Sequence, residues 1–197
     1  MCCLFGLIDY NHTLSRRQKT RIVRTLAELS EERGTDAAGI AYNSGGTLRI
    51  DKHPGAAHTL NFRVPRDSTV VMGHTRMTTQ GSALKTQNNH PFAGNAQGMP
   101  FALAHNGALY NDRFLRKTLK LPATNIETDS YVAVQLIEQA KALNFNSLRH
   151  MAEKVEGSFC FTVLDRKNNL YIVKGDNPFC LVHYPEKGLF LYASTER

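Results

Sequence analysis

The chain has no apolar run approaching the roughly 18 residues that a membrane-spanning helix needs, so no membrane span is expected. It also lacks a secretory leader: no basic segment precedes Cys2, and polar Asp9, Asn11 and His12 follow the first apolar residues. The expected compartment is therefore the cytoplasm. The four cysteines, at positions 2, 3, 160 and 180, give no C-x-x-C spacing for zinc and no disulfide framework. Cys160 in "GSFCFTV" and Cys180 in "NPFCLVH" lie in apolar, strand-like runs and read as core packing. No metal and no cofactor is expected, and no phosphate-loop G-x-x-x-x-G-K-[ST] is present. Internal repeats, low-complexity tracts and linkers are absent too, so residues 1–197 are expected to form one domain.

What is present begins with charge. The formal net charge is +7, which raises the question of a nucleic-acid partner. The densest basic cluster, Arg16, Arg17, Lys19, Arg21 and Arg24, falls on an expected helix with an apolar stripe at Ile22, Val23, Leu26 and Leu29. The cluster therefore reads as the solvated face of that helix. No nucleic-acid motif accompanies it, so nucleic acid is not expected as a partner. The charge remains able to attract acidic partners or anionic metabolites.

Along the chain, "CCLFGLIDY" suits a buried strand, and Ser15 with Gln18 forms a capping-box pattern that opens a helix running to about Arg33. Strands are expected at 37–43 and 47–52 around the turn "NSGG", followed by a short helix near 56–62 and a strand across "STVVMGHTR". Residues 78–100 read as one long polar loop, of a length that is usually functional or disordered. "FALAHNGALYN" reads as a strand that ends in a turn at Asn106-Gly107, with helices at 111–119, 128–143 and 147–154. Four strand-like runs close the chain, with turns at Asn168-Asn169 and at 186–188. Strands, then helices, then strands make an α+β order with antiparallel hairpins at each end.

The chemistry starts at "MCCLFGL". Removal of Met1 would leave Cys2 as the amino terminus, its thiol beside an α-amine of pKa near 7.7–8.0 that is in part a neutral base at neutral pH. Nucleophile and base then sit in one residue. An acyl-transfer nucleophile also needs an oxyanion hole and groups that hold the substrate. Asn106 offers an amide donor and Gly107 an unobstructed backbone N–H. Arg76, at the end of "GHTR", is a bidentate carboxylate binder, and Asp129, in "ETDSY", is able to grip an ammonium. Read singly, each has a plainer alternative: a turn for Asn106-Gly107, a surface ion pair for Arg76, a helix cap for Asp129.

Together, "MCCLFG", "RGTDAAGI", "GHTRMTTQG", "NNHPF", "LAHNGALYN" and "ETDS" occur in the order and approximate spacing of the class II glutamine amidotransferases, and the whole chain resembles that family of N-terminal-nucleophile hydrolases. The resemblance implies a four-layer αββα sandwich of two antiparallel sheets. It implies that Cys2 attacks the carboxamide of glutamine, that Asn106 and Gly107 form the oxyanion hole, and that Arg76 pairs with the substrate α-carboxylate. Thr79 and Gln80 then line the same pocket and Asp129 holds the α-amino group. Arg33 and Asp36 look structural, and His74, His90 and His105 orient loops and strands. The implied activity is release of ammonia from glutamine through a γ-glutamyl thioester, with an ammonia-accepting synthase or transferase as partner. A γ-glutamyl amide hydrolase without acceptor and a silent regulatory subunit are the rival readings, and an oligomer is compatible with either. The sequence departs from the family at Cys3, where glycine is usual, and at Met77. It stops at "YASTER", near where the family's core normally continues, so a stand-alone or truncated glutaminase module is expected.

Overall fold

The computed structural model describes residues 2–195. Ten strands run in order: β1 (Cys3–Asp9), β2 (Ala37–Ser44), β3 (Thr47–Pro54), β4 (Val70–Arg76), β5 (Phe92–Ala96), β6 (Met99–Leu109), β7 (Gly157–Asp165), β8 (Leu170–Lys174), β9 (Cys180–Tyr184) and β10 (Leu189–Ala193). Helix α1 (Arg16–Ser30) follows β1, while α2 (Asp112–Thr118), α3 (Tyr131–Gln139) and α4 (Phe145–Lys154) lie between β6 and β7. The strands form a six-stranded sheet ordered β3-β2-β4-β1-β10-β9 and a four-stranded sheet ordered β5-β6-β7-β8, every pairing antiparallel.

Three apolar layers stack these elements. Phe5, Leu7, Ile40 and Val71 bury the outer face of the larger sheet against Val23 and Ala27 of α1. Leu4, Met72, Ala102, Ala104, Cys160 and Leu164 pack between the sheets. Leu103, Phe161 and Val163 lie beneath Leu136, Ile137 and Met151 of α3 and α4. The order is helix, sheet, sheet, helix, as the family resemblance implied. Each large apolar side chain buried this way is worth about 1.5–3 kcal/mol relative to exposure.

Strand alternation decides which thiol faces which layer. On β1, Phe5 and Leu7 face α1 while Leu4 faces the second sheet. Cys3 shares parity with Phe5 and is fully buried, and Cys2 shares parity with Leu4. On β4, Val71 faces α1, so Met72, His74 and Arg76 face inward with Cys2.

The structure corrects several expectations. The loop at 78–100 includes β5 and the hairpin into β6, because the short run Phe92–Ala96 pairs with Met99–Leu103. Asn106 and Gly107 lie inside β6 rather than at a turn, since pairing with β7 continues to Leu109 opposite Gly157. Cys180 sits half-buried on the edge strand β9 instead of in the core. α1 opens with the expected Ser15–Gln18 capping box but ends at Ser30, a 3-10 turn carrying the chain to Arg33. Leu29 is exposed, and Lys19 is not on the solvated face. The buried stripe of α1 is Lys19, Val23, Ala27 and Ser30, at helical spacing.

Lys19 is buried because Asp9 waits for it at the end of β1. The ammonium lies 3.0 Å from Asp9 Oδ2, both side chains wholly enclosed, and donates to the carbonyls of Ser68 (2.7 Å) and Arg66 (2.9 Å). Asp9 also accepts from the N–H groups of Thr13 and Leu14. Burial works to raise the Asp9 pKa, but the Lys19 ammonium and these two N–H groups outweigh it and hold the carboxyl below its usual range. Its ionised form therefore contributes stability that is present above the unfolded value near 3.9 and is lost as pH falls through the depressed folded value. Asp9→Asn should cost about 3–5 kcal/mol in urea unfolding at neutral pH, because it strands a buried ammonium. Asp9→Leu combined with Lys19→Met should recover most of that loss, and the Asp9→Asn penalty should shrink below about pH 4.

Candidate active site

Cys2 precedes the first strand and is held from two sides. Its carbonyl accepts from Arg33 Nε at 3.0 Å, and its thiol lies 3.6 Å from the Met77 carbonyl, to which it donates. Arg33 belongs to "RGTD", and the other members brace the end of β4. A Cβ on Gly34 would stand 2.3 Å from the Arg76 carbonyl carbon, so only glycine lets the two backbones approach. The Asp36 N–H donates to the Arg76 carbonyl at 2.9 Å, and its carboxylate accepts from the Thr78 N–H at 2.7 Å. Arg33 and Asp36, read as structural from the sequence, touch the first and last residues of the wall they support.

Arg76 is 2% exposed and has no carboxylate within ion-pair distance among the described residues. Its guanidinium donates to Asn89 Oδ1 (2.6 Å) and to the carbonyls of Gln80 (2.6 Å) and Gly81 (3.0 Å). Those acceptors are neutral, so the positive charge is positioned but not cancelled. The loop that carries Thr79 and Gln80 is fastened across to Glu127. Gln80 Nε2 donates to the Glu127 carbonyl, the Ser82 N–H and Asn88 Nδ2 donate to its carboxylate, and Lys85 pairs with it. Asn88 returns the contact by accepting the Glu127 N–H at 2.9 Å.

On the second sheet, Gly107 has φ 149°, and a Cβ there would lie 1.9 Å from the Ser158 carbonyl oxygen. Glycine is required at this kink of β6. Asn106 is fully buried; its Nδ2 lies 3.2 Å from Ser194 Oγ, its carbonyl accepts from Asn177 Nδ2 at 2.7 Å, and its Oδ1 has no partner. Asp129 does not cap α3, since Ser130 occupies the cap position. Instead Asp129 Oδ2 accepts the Leu109 N–H at 2.7 Å, which ties the end of β6 to the start of the helix.

A narrow cleft is lined by Cys2, Arg76, Thr79, Gln80, Gly107 and Asp129, with His90 and His105 on the same wall. Asn106, on the inner face of β6, is not on the lining. Larger grooves exist, but they flank α1, and none of these residues reaches them. Sequence reasoning passed over Asn89, Glu127 and Ser130 as individual side chains. They lie within the quoted segments "NNHPF" and "ETDS", which were the available signal.

The thiol is pushed above its ordinary pKa by burial, against the Met77 carbonyl contact and the Arg76 charge. No imidazole nearby is basic enough to take its proton. His74, His90 and His105 are fully enclosed between and behind the sheets, and burial pulls His74 down to about 3 and His105 to about 4, with His90 well below its ordinary value. His74 stacks on His90 with centroids 4.1 Å apart and has its Nε2 at 2.9 Å from the His105 carbonyl, while neither ring nitrogen of His90 has a partner. Between about pH 6.5 and these depressed values the unfolded chain binds more protons than the folded one, so stability falls as pH drops below 6.5. His90→Phe, which keeps the ring against His74 and Phe92, should flatten that decline; unfolding midpoints at pH 5 and pH 7.5 measure it.

Comparison with known proteins agrees with this geometry. The family described as "Glutamine amidotransferase domain" matches residues 74–197. Glutamine–fructose-6-phosphate aminotransferase [isomerizing] of Halalkalibacterium halodurans is 31% identical over 201 residues, 98% of this chain and 32% of that protein. The protein of the same name from Caldanaerobacter subterraneus subsp. tengcongensis is 33% identical over 174 residues, 85% of this chain and 28% of the relative. This chain thus spans about a third of the length of the curated relatives it matches. The fold is shared with glutamine phosphoribosylpyrophosphate amidotransferase from B. subtilis, at a TM-score of 0.76 and 21% identity over 98% of this chain and 42% of that one. A predicted glutamine amidotransferase from Pseudomonas aeruginosa aligns at 0.54 with 18% identity, covering 99% and 79%. With the family matched over most of the chain, and the two-sheet sandwich and the Cys2 cavity in place, the chain belongs to the class II glutamine amidotransferase domain family.

Proposed function

We propose that this chain hydrolyses the side-chain amide of glutamine to glutamate and ammonia. The observation that carries the reading is one cavity holding three chemistries: a thiol, a buried guanidinium and a carboxylate, the latter two with no ion-pair partner among the described residues. Glutamine presents the complementary set. Its α-carboxylate matches Arg76, its α-ammonium matches Asp129, and its carboxamide reaches Cys2. Thr79 and Gln80 complete the wall.

Catalysis follows from Cys2 being its own base once Met1 is gone; Met1 itself lies outside the described residues. The neutral α-amine takes the thiol proton as Sγ bonds to the amide carbon. We assign the oxyanion to the Gly107 N–H, which is on the cavity wall, and to the second N–H of the Asn106 amide, which must turn from its enclosed place behind the lining to reach it. The protonated α-amine then delivers its proton to the departing nitrogen, the C–N bond breaks and ammonia leaves. Water, deprotonated by the same amine, cleaves the γ-glutamyl thioester and releases glutamate and free thiol.

The ammonia goes to an acceptor bound by a synthase-type domain or partner. No helix among the described residues is long and apolar enough to cross a membrane, and we place the reaction in the cytoplasm. Glutamate release from glutamine should vanish in Cys2→Ala and stay near wild type in Cys3→Ala, whose side chain faces α1. Arg76→Gln should raise KM for glutamine by about 10-fold to 100-fold, as expected for loss of a charge-assisted carboxylate contact. Activity surviving in Cys2→Ala would overturn the mechanism. Equal turnover of glutamine and of γ-glutamyl amides lacking the α-carboxylate would overturn the assignment of Arg76.

A further inference from the structure

The arginines of α1 play no part in the Cys2 site, yet their arrangement is unusual for a solvated helix face. Arg17, Arg21 and Arg24 follow one another at helical spacing along one side of α1. With Arg16 and with Arg63 from the facing loop they line a single groove. None of these five has an ion-pair partner among the described residues. The first turn of α1 holds no acidic residue, so its dipole is left uncompensated and basic charge stands where it is least favoured. Arg17 and Arg21, four residues apart, repel each other as well. Glu28 is the one carboxylate on the groove lining, four residues from Arg24, and Asn61 is a neutral polar residue on the same lining. Asn61 Oδ1 accepts from Arg24 Nη1 at 3.4 Å, and this bond turns one guanidinium toward the loop that carries Arg63.

So much unneutralised charge converging on a concave surface needs an anion. We propose that the groove between α1 and the loop bearing Arg63 binds an oligophosphate chain. Guanidinium forks suit phosphoryl oxygens, and Arg17 to Arg24 spans about 10 Å of helix axis, comparable to a chain of three linked phosphates. The lining contains no aromatic residue on which a base could stack, and the wall beyond Arg21 turns apolar at Ile22 and Leu26. These features favour a compact phosphate chain over an extended nucleic acid. The groove lies on the opposite face of the larger sheet from Cys2, so the inference stands apart from the glutaminase reading.

Calorimetric titration with inorganic tripolyphosphate at about 150 mM salt tests it. Wild-type protein should bind one equivalent. Arg21→Gln with Arg24→Gln should weaken binding roughly tenfold or more, whereas Arg113→Gln on α2 should leave it unchanged. Glutamate release should be the same in all of these proteins. If the double variant fails to fold, Arg63→Gln, on the loop rather than the helix, carries the same expectation. Equal binding by wild type and variants would overturn the proposal. So would orthophosphate binding as tightly as tripolyphosphate, or duplex DNA or single-stranded RNA binding more tightly than either.

Discussion

The segment "RGTD" is the constraint on which the site depends, because Cys2 lies just before β1 and is held in place by contacts from outside that strand. Arg33 reaches back to the Cys2 carbonyl, Gly34 lets the backbone press against the end of β4, and Asp36 holds the Arg76 carbonyl and the Thr78 N–H. Thr75, between the last two inward side chains of β4, donates to the Ser30 carbonyl where α1 ends. A helix terminus on the outer face of the larger sheet thus registers the thiol and the guanidinium on its inner face. A hydrogen bond to a charged donor contributes only about 1.5–3 kcal/mol. Its importance here is positional, since attack requires the sulfur within a fraction of an ångström of its carbon.

The electrostatics of the interior agree with a base that travels with its nucleophile. Three enclosed histidines stand near the site, and a reader of motifs would reach first for one of them. Their burial makes each an imidazole rather than an imidazolium, and the stack of His74 on His90 works as packing between β4 and the segment after it. His105 is fixed by Ser130 Oγ at 2.8 Å and by stacking on Phe161, so it locks β6 to the start of α3. His90 and His105 shape the cavity wall, and their low basicity leaves proton traffic to Cys2 itself.

Much of this was legible in the sequence, for reasons that differ by element. β1, β4 and β7 announce themselves because strands buried on both faces read as continuous apolar runs. The capping box at Ser15 was local chemistry and appears as expected. The failures share a cause, which is that long-range partners overrule local signals. Asn106-Gly107 has turn composition, yet β7 extends its ladder past it. Lys19 looks solvated until Asp9, ten residues upstream, captures it. β5 is too short and too polar to declare itself without β6 beside it. Cys2, Arg76, Thr79, Gln80, Gly107 and Asp129, which the structure gathers at one cavity, could be singled out because their spacing is shared with a family, whereas Asn89, Ser130 and Ser194 act through contacts that only the fold creates.

Asn89 shows how such a contact shapes the chemistry. Its side-chain oxygen takes Arg76 Nη1 at 2.6 Å, and its backbone carbonyl takes Lys52 Nζ at 2.6 Å. One neutral residue therefore spaces two cations beside the cavity. Burial brings the Lys52 pKa down to about 8, and the Arg76 charge pushes in the same direction. Asp36, Asp129 and Glu127 act on Arg76 in the opposite sense to Lys52, yet none of the three lies within ion-pair distance of the guanidinium. A substrate carboxylate at Arg76 would remove the repulsion that Lys52 feels. On the proposed reading, affinity for that end of glutamine would come from a guanidinium that is held by neutral acceptors and still has no paired carboxylate among the described residues. A neutral amide lacking the α-carboxylate would leave the buried Arg76 charge without a paired anion, and so should be discriminated against.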